Sequence, residues 1–99
     1  MFVHVVFFWI KPDAPANAQE QLLNDCREYL SKIPGLTMFD AGRPAMTPRE
    51  VVDNSYAVGL LTAFADKAGH DAYQAHDLHL EFIARNKANW SRVQVYDFA

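Results

Sequence analysis

Four histidines, His4, His70, His76 and His79, are the residues best suited to chemistry near neutral pH, because imidazole is the usual acid or base there. His4 sits in an apolar run and shares a strand face with Val6, Phe8 and Ile10. His79 falls on a helical stripe with Phe82, Ile83 and Asn86, at i, i+3, i+4 and i+7. Both side chains are therefore expected to point inward, between a sheet and its helices, where they can meet across one cavity. The plain alternative is a pair of core histidines, each satisfied by a backbone carbonyl. An unpaired buried polar group costs roughly 1–3 kcal/mol, so two in so small a core call for a reason. Tyr73 lies on the helix leading into the His76-Asp77-Leu78-His79 corner. Its hydroxyl can donate or share a proton beside an imidazole, or it can be an amphipathic residue at the core edge.

The remaining groups offer less. His70 and His76 read as solvated or hinge residues. His76 and His79 are three apart with Asp77 between them, whereas zinc metalloproteases use two histidines four apart with an intervening glutamate, so no metal site is expected. The glycines are scattered and form no phosphate loop, and no Gly-x-Ser-x-Gly elbow is present. Glu20, Asp25, Arg27, Glu28 and Lys32 look like the wet face of a helix. Cys26 reads as a small apolar residue on a helix's inner face. As the sole cysteine it excludes an internal disulfide, which fits a reducing compartment and hence a cytoplasmic location. The net charge of −3 comes without any basic run, so nucleic acid is not an expected partner. The apolar start is too short for a membrane span of ~20 residues and lacks the basic leader of a signal peptide.

The elements that must position these groups follow from periodicity. Ninety-nine residues, half of them hydrophobic, make one domain, residues 1–99, with a thin core. Residues 2–10 read as a strand with two apolar faces, closed by Lys11-Pro12-Asp13. Asn17 with Glu20 forms a capping-box pattern. Ala18, Leu22, Cys26, Tyr29, Leu30 and Ile33 then recur at helical spacing before Pro34-Gly35. Strands are expected over Leu36 to Gly42 and Tyr56 to Phe64, separated by a polar loop over residues 43–54. On the second of these, Tyr56, Val58, Leu60, Thr62 and Phe64 share one face. Small residues on the other face mark the close approach of another element. Asp66 caps a helix through Ala75, a second runs from Asp77 to Lys87, and Trp90 to Phe98 closes as a strand.

This order is the split βαβ pattern of an α+β, ferredoxin-like fold: a four-stranded antiparallel sheet with helices on one face. The opposite face is apolar, at least on the first strand, and needs a cover. Pairing two sheets face to face in a two-fold homodimer provides one.

Val3-His4-Val5-Val6-Phe7-Phe8 and Tyr73-Gln74-Ala75-His76-Asp77-Leu78-His79-Leu80-Glu81-Phe82 together resemble the two signatures of the stress-responsive A/B barrel (Dabb) family. The resemblance covers the whole chain and implies a dimeric α/β barrel. In the plant cyclase of that family, a first-strand histidine and a tyrosine and histidine of the second motif serve the active site. The matching positions here are His4, Tyr73 and His79. By that resemblance His79 is the base of a cofactor-free reaction on a carbonyl compound, Tyr73 positions it or shares the proton, and His4 holds a carbonyl or water. The family often has proline where this chain has Asp77. Three functions compete: a cyclase- or lyase-type enzyme without a cofactor, a module that sequesters a small apolar ligand, and a monooxygenase of the antibiotic-biosynthesis type.

Overall fold

The computed structural model describes residues 1–99. Strand β1 (Phe2–Ile10) leads into helix α1 (Ala18–Glu28), strands β2 (Leu36–Gly42) and β3 (Val58–Phe64), helices α2 (Lys67–Ala75) and α3 (Asp77–Asn86), and strand β4 (Trp90–Phe98). The sheet order is β2-β3-β1-β4 with every neighbour antiparallel. β1 is therefore central, which explains why it is apolar on both faces.

Side-chain alternation divides the sheet. His4, Val6 and Phe8 of β1 lie under the helices, with Val58, Leu60, Thr62 and Phe64 of β3 beside them, and all are buried. Leu22, Leu23, Cys26, Leu30, Tyr73 and Phe82 meet them from above. Val5, Phe7 and Trp9 face the other way and are only partly covered, and Tyr96 and Phe98 beside them on β4 are more than half exposed. No helix is long and apolar enough to cross a membrane.

Three local expectations need correction. Asn17 precedes α1, but its side chain makes no capping bond, and the helix tightens into a 3-10 turn over Leu30–Lys32. Asp25 is not on the wet face: it is 4% exposed and bonds to Arg85 and Asn86 of α3. Tyr56 lies outside β3, and its ring packs on Phe7, 4.8 Å away, on the open side of the sheet. Gly59 lies beneath both rings, and a Cβ there would stand 3.4 Å from each, in close van der Waals contact. The other boundaries match. Asp66 caps α2 by accepting from the Gly69 amide. At His76 the backbone is extended and breaks α2 from α3. The His76 Nδ1 accepts from the Leu78 amide at 3.0 Å, so this histidine is a hinge cap.

Candidate functional site

β1 brings His4 to the helix-covered face, directly opposite Asp97 on β4. The last turns of α2 carry Tyr73 and Gln74, and the first turn of α3 carries His79. All but Asp97 line one pocket of about 170 Å³ between the sheet and the helices, with Phe8, Phe82, Trp90, Val93 and Val95. Phe8 and Phe82 stand at its wall and leave the space open. No residue of 43–54 lines it, so that loop is not its lid. The pocket opens toward β4, where Val93 and Val95 are each 41% exposed.

The two imidazoles are held differently. His4 Nδ1 lies 2.5 Å from the Asp97 carboxylate, and its Nε2 is 3.2 Å from the Gln74 amide nitrogen. That same nitrogen lies 3.3 Å from His70 Nε2, and His70 Nδ1 is 3.1 Å from Asp71. A glutamine amide carries two hydrogens. One can go to each Nε2, which leaves each ring an Nδ1–H to donate to its carboxylate. Burial lowers the pKa of His4, while the hydrogen bond and charge of Asp97 work in the opposite direction.

His79 has none of this support. Its Nδ1 is buried without a partner, and its Nε2 makes no bond within the protein. Burial, reinforced by the His4 and His70 rings, pushes its pKa down to about 4. The ring lies 4.9 Å from that of Tyr73, edge to face. Tyr73 is fully buried, its hydroxyl also lacks a partner, and burial raises its pKa further above the ordinary phenol range. The indole N–H of Trp90 is a third buried donor without a partner. Three buried, unbonded polar atoms on residues that line one small pocket are unusual for a folded chain.

His4, Tyr73 and His79 thus meet at one pocket. His76 is drawn away to cap α3, and Asp77 is an exposed residue of its first turn. Sequence reasoning did not find Gln74, His70, Asp97 or Trp90. Gln74 and His70 carry a weak signal, being four apart on one helix. Asp97 becomes visible only with the register of β4 on β1. His4, His70 and Asp97 each offer a ligand atom within 4.8 Å of the others. The bonds to Asp97, Gln74 and Asp71 already occupy all four imidazole nitrogens there.

The model of the Stress Responsive A/B Barrel Domain matches residues 2–99. The chain belongs to the Dabb family. No curated protein matches it. Among solved structures, this Dabb chain is similar to a Dabb family protein with a ferredoxin-like fold from Mesorhizobium loti, at 26% identity and a TM-score of 0.78, covering 99% of this chain and 94% of that one. It is similar in fold to a dimeric ferredoxin-like protein of unknown function from Thermobifida fusca, at 18% identity and a TM-score of 0.82, covering 99% and 89%. Hydroxynitrile lyase from Passiflora edulis shares the fold at 15% identity and a TM-score of 0.78, covering 98% and 90%.

Proposed function

We propose that this Dabb chain binds a small, largely apolar carbonyl compound and moves a proton next to the carbonyl without a cofactor. The observation that carries this reading is the pair of buried, unpartnered groups, Tyr73 Oη and His79 Nδ1, on a pocket that His4 also lines. The Tyr73 hydroxyl stays protonated at neutral pH and, once a ligand parts the wall that covers it, donates to the carbonyl oxygen. His79 Nε2, free of protein bonds, takes a proton from the adjacent carbon. The C–H electron pair moves into the new C=C bond, and the carbonyl π pair moves onto the oxygen that Tyr73 holds. His79 then returns the proton to the same carbon or to another. His4, neutral and fixed by Asp97, has no Nε2 proton to give. Its Nε2 lone pair is taken by the Gln74 amide, so its part is to hold Gln74 at the wall rather than to hold a carbonyl.

The test is solvent exchange: simple ketones, acetone to acetophenone, in D₂O with deuterium uptake followed by NMR. The wild-type chain accelerates exchange, and His79→Ala abolishes the acceleration. The rate rises through about pH 4 as His79 loses its proton and is flat above. Catalysis that survives His79→Ala would sink the base assignment. A second reading, sequestration without turnover, draws on the same imidazole, since a base held near pKa 4 is a weak one at neutral pH. Ligand binding with no exchange at any pH would select it.

We also propose that two copies pair through the open sheet face. Support comes from the apolar surface of Val5, Phe7, Trp9, Tyr96 and Phe98 and from the dimeric Thermobifida fusca relative in fold. Sedimentation should give twice the chain mass, and Val5→Lys should halve it.

A further inference from the structure

We propose that His4, His70 and Gln74 form a binding site for a divalent transition-metal ion of the zinc class, at the seam where β1 meets α2. Proton transfer by His79 needs no such ion, so the two readings stand or fall separately.

Convergence comes first. His4 rises from β1, while His70 and Gln74 lie four apart on one face of α2. Two ligands at that spacing on a helix is the arrangement zinc-binding helices use. The Gln74 amide nitrogen stands 3.2 Å from His4 Nε2 and 3.3 Å from His70 Nε2. Both ring nitrogens therefore face one point, and the amide and an ion compete there for the same two lone pairs. Zinc–imidazole bonds are about 2.0–2.1 Å long, so an ion at that point draws each ring inward by roughly 1 Å. Turning the amide over puts its oxygen where its nitrogen was and supplies a third ligand, leaving a fourth position for water.

What stands behind the rings is the second observation. His4 Nδ1 is bonded to Asp97 and His70 Nδ1 to Asp71. A carboxylate on the far nitrogen fixes the tautomer whose Nε2 is free to ligate, and it raises the basicity of that nitrogen. One amide on one ring would be enough to satisfy His4. A second histidine, with its own carboxylate and turned to the same amide, is more than that task requires. The two carboxylates also offset the charge of a divalent ion, although the second oxygen of Asp71 is shared with Lys67 at 2.7 Å.

Rigidity is the third. The His70 ring packs against Phe2 at 4.6 Å and edge-on to Phe64 at 5.7 Å, so its direction is set by the core rather than by solvent. Its side chain is still 14% exposed, which gives an ion access to the seam. The donor set decides the class of ion. Imidazole suits zinc and copper, whereas magnesium and calcium take oxygen ligands. His76 is no part of this set, because its Nδ1 caps α3.

The experiment is a zinc titration of the untagged full-length chain at neutral pH, followed by calorimetry and by ¹H–¹⁵N NMR of the imidazole nitrogens, with magnesium as the control cation. Zinc should bind once per chain and move the Nε2 signals of His4 and His70 while those of His76 stay, and magnesium should do nothing. His70→Phe keeps a ring between Phe2 and Phe64 and should abolish binding, with the amide spectrum reporting that the chain is folded. Asp97→Asn should weaken binding by about ten-fold, as loss of a carboxylate behind a ligating histidine does. Gln74→Glu puts a carboxylate oxygen at the same point and should tighten binding, so this gain decides the matter where His70→Phe does not fold. No saturable zinc binding, binding that survives His70→Phe, or an affinity left unchanged by Gln74→Glu or Asp97→Asn would overturn the site. The exchange assay of His79 decides the proton-transfer reading in every case.

Discussion

Two buried polar clusters sit one helix apart and are built on opposite principles. Where α1 crosses α3, the Asp25 carboxylate accepts from Arg85 Nε at 2.8 Å, Arg85 Nη2 at 3.2 Å and Asn86 Nδ2 at 2.9 Å. Asn86 Nδ2 also donates to the Phe82 carbonyl. This cluster bonds nearly all it buries. Two turns back along α3, His79 and the nearby Tyr73 and Trp90 leave three buried atoms unbonded. A chain of this length has only a few kcal/mol to spare. The satisfied cluster clamps the helix, and the unsatisfied one stands on the helix so clamped. The cost of the second is tolerated because the first holds its frame.

That contrast can be broken most strongly through pH. His79 titrates near 4 when folded and near 6.5 when free. Between those values the unfolded chain binds the extra proton, so its term in stability is complete above about pH 6.5 and lost as pH falls toward 4. The loss is on the order of 3 kcal/mol, with His4 adding in the same direction. His79→Phe should flatten the stability curve across that window in chemical denaturation, and an unchanged slope would show that burial of this ring is not the cause. Asp25→Ala comes next, costing about 2–3 kcal/mol at neutral pH by stranding the Asn86 amide and freeing α3. Thermal melts at fixed chain concentration should show it, and acetophenone binding should persist in the part that folds. The smallest effect is Tyr73→Phe, which removes an unpaired hydroxyl and should raise stability by up to about 1 kcal/mol while slowing exchange at least ten-fold. A loss of stability there would mean that the hydroxyl has a partner in solution.

Much of this was legible beforehand, because the elements are written in short-range patterns. The apolar run of residues 2–10 with its Lys11-Pro12-Asp13 stop, the Asp66 cap and the stripe of His79, Phe82 and Asn86 placed β1, α2 and α3 within a residue or two. The fold class followed from their order. That His4, Tyr73 and His79 come to one pocket was legible because the three lie on or beside those patterns. What escaped depends on tertiary pairing. Asp97 is an ordinary acid near the end of a strand until register sets it opposite His4. Asp25 reads as solvent-facing by helical phase alone, and is buried because α3 packs across α1 at that point. His70 has a wet-looking sequence neighbourhood, yet its ring packs 4.8 Å from that of His4. Tyr56 escaped because the bend before β3 breaks the alternation that assigned its face.

The hydrogen bond between His4 and Asp97 spans 93 positions of sequence. It joins the first strand to the last, side by side at the middle and edge of the sheet. During synthesis β1 leaves the ribosome before β4, and its edge toward β4 stays unpaired until that strand arrives. Contacts this distant form late and slowly, and a waiting strand is open to wrong partners. A chain interrupted between His79 and Asp97 has His4, Tyr73 and His79 but no carboxylate to fix the first of them. The polar half of the pocket therefore takes shape only once β4 has paired with β1.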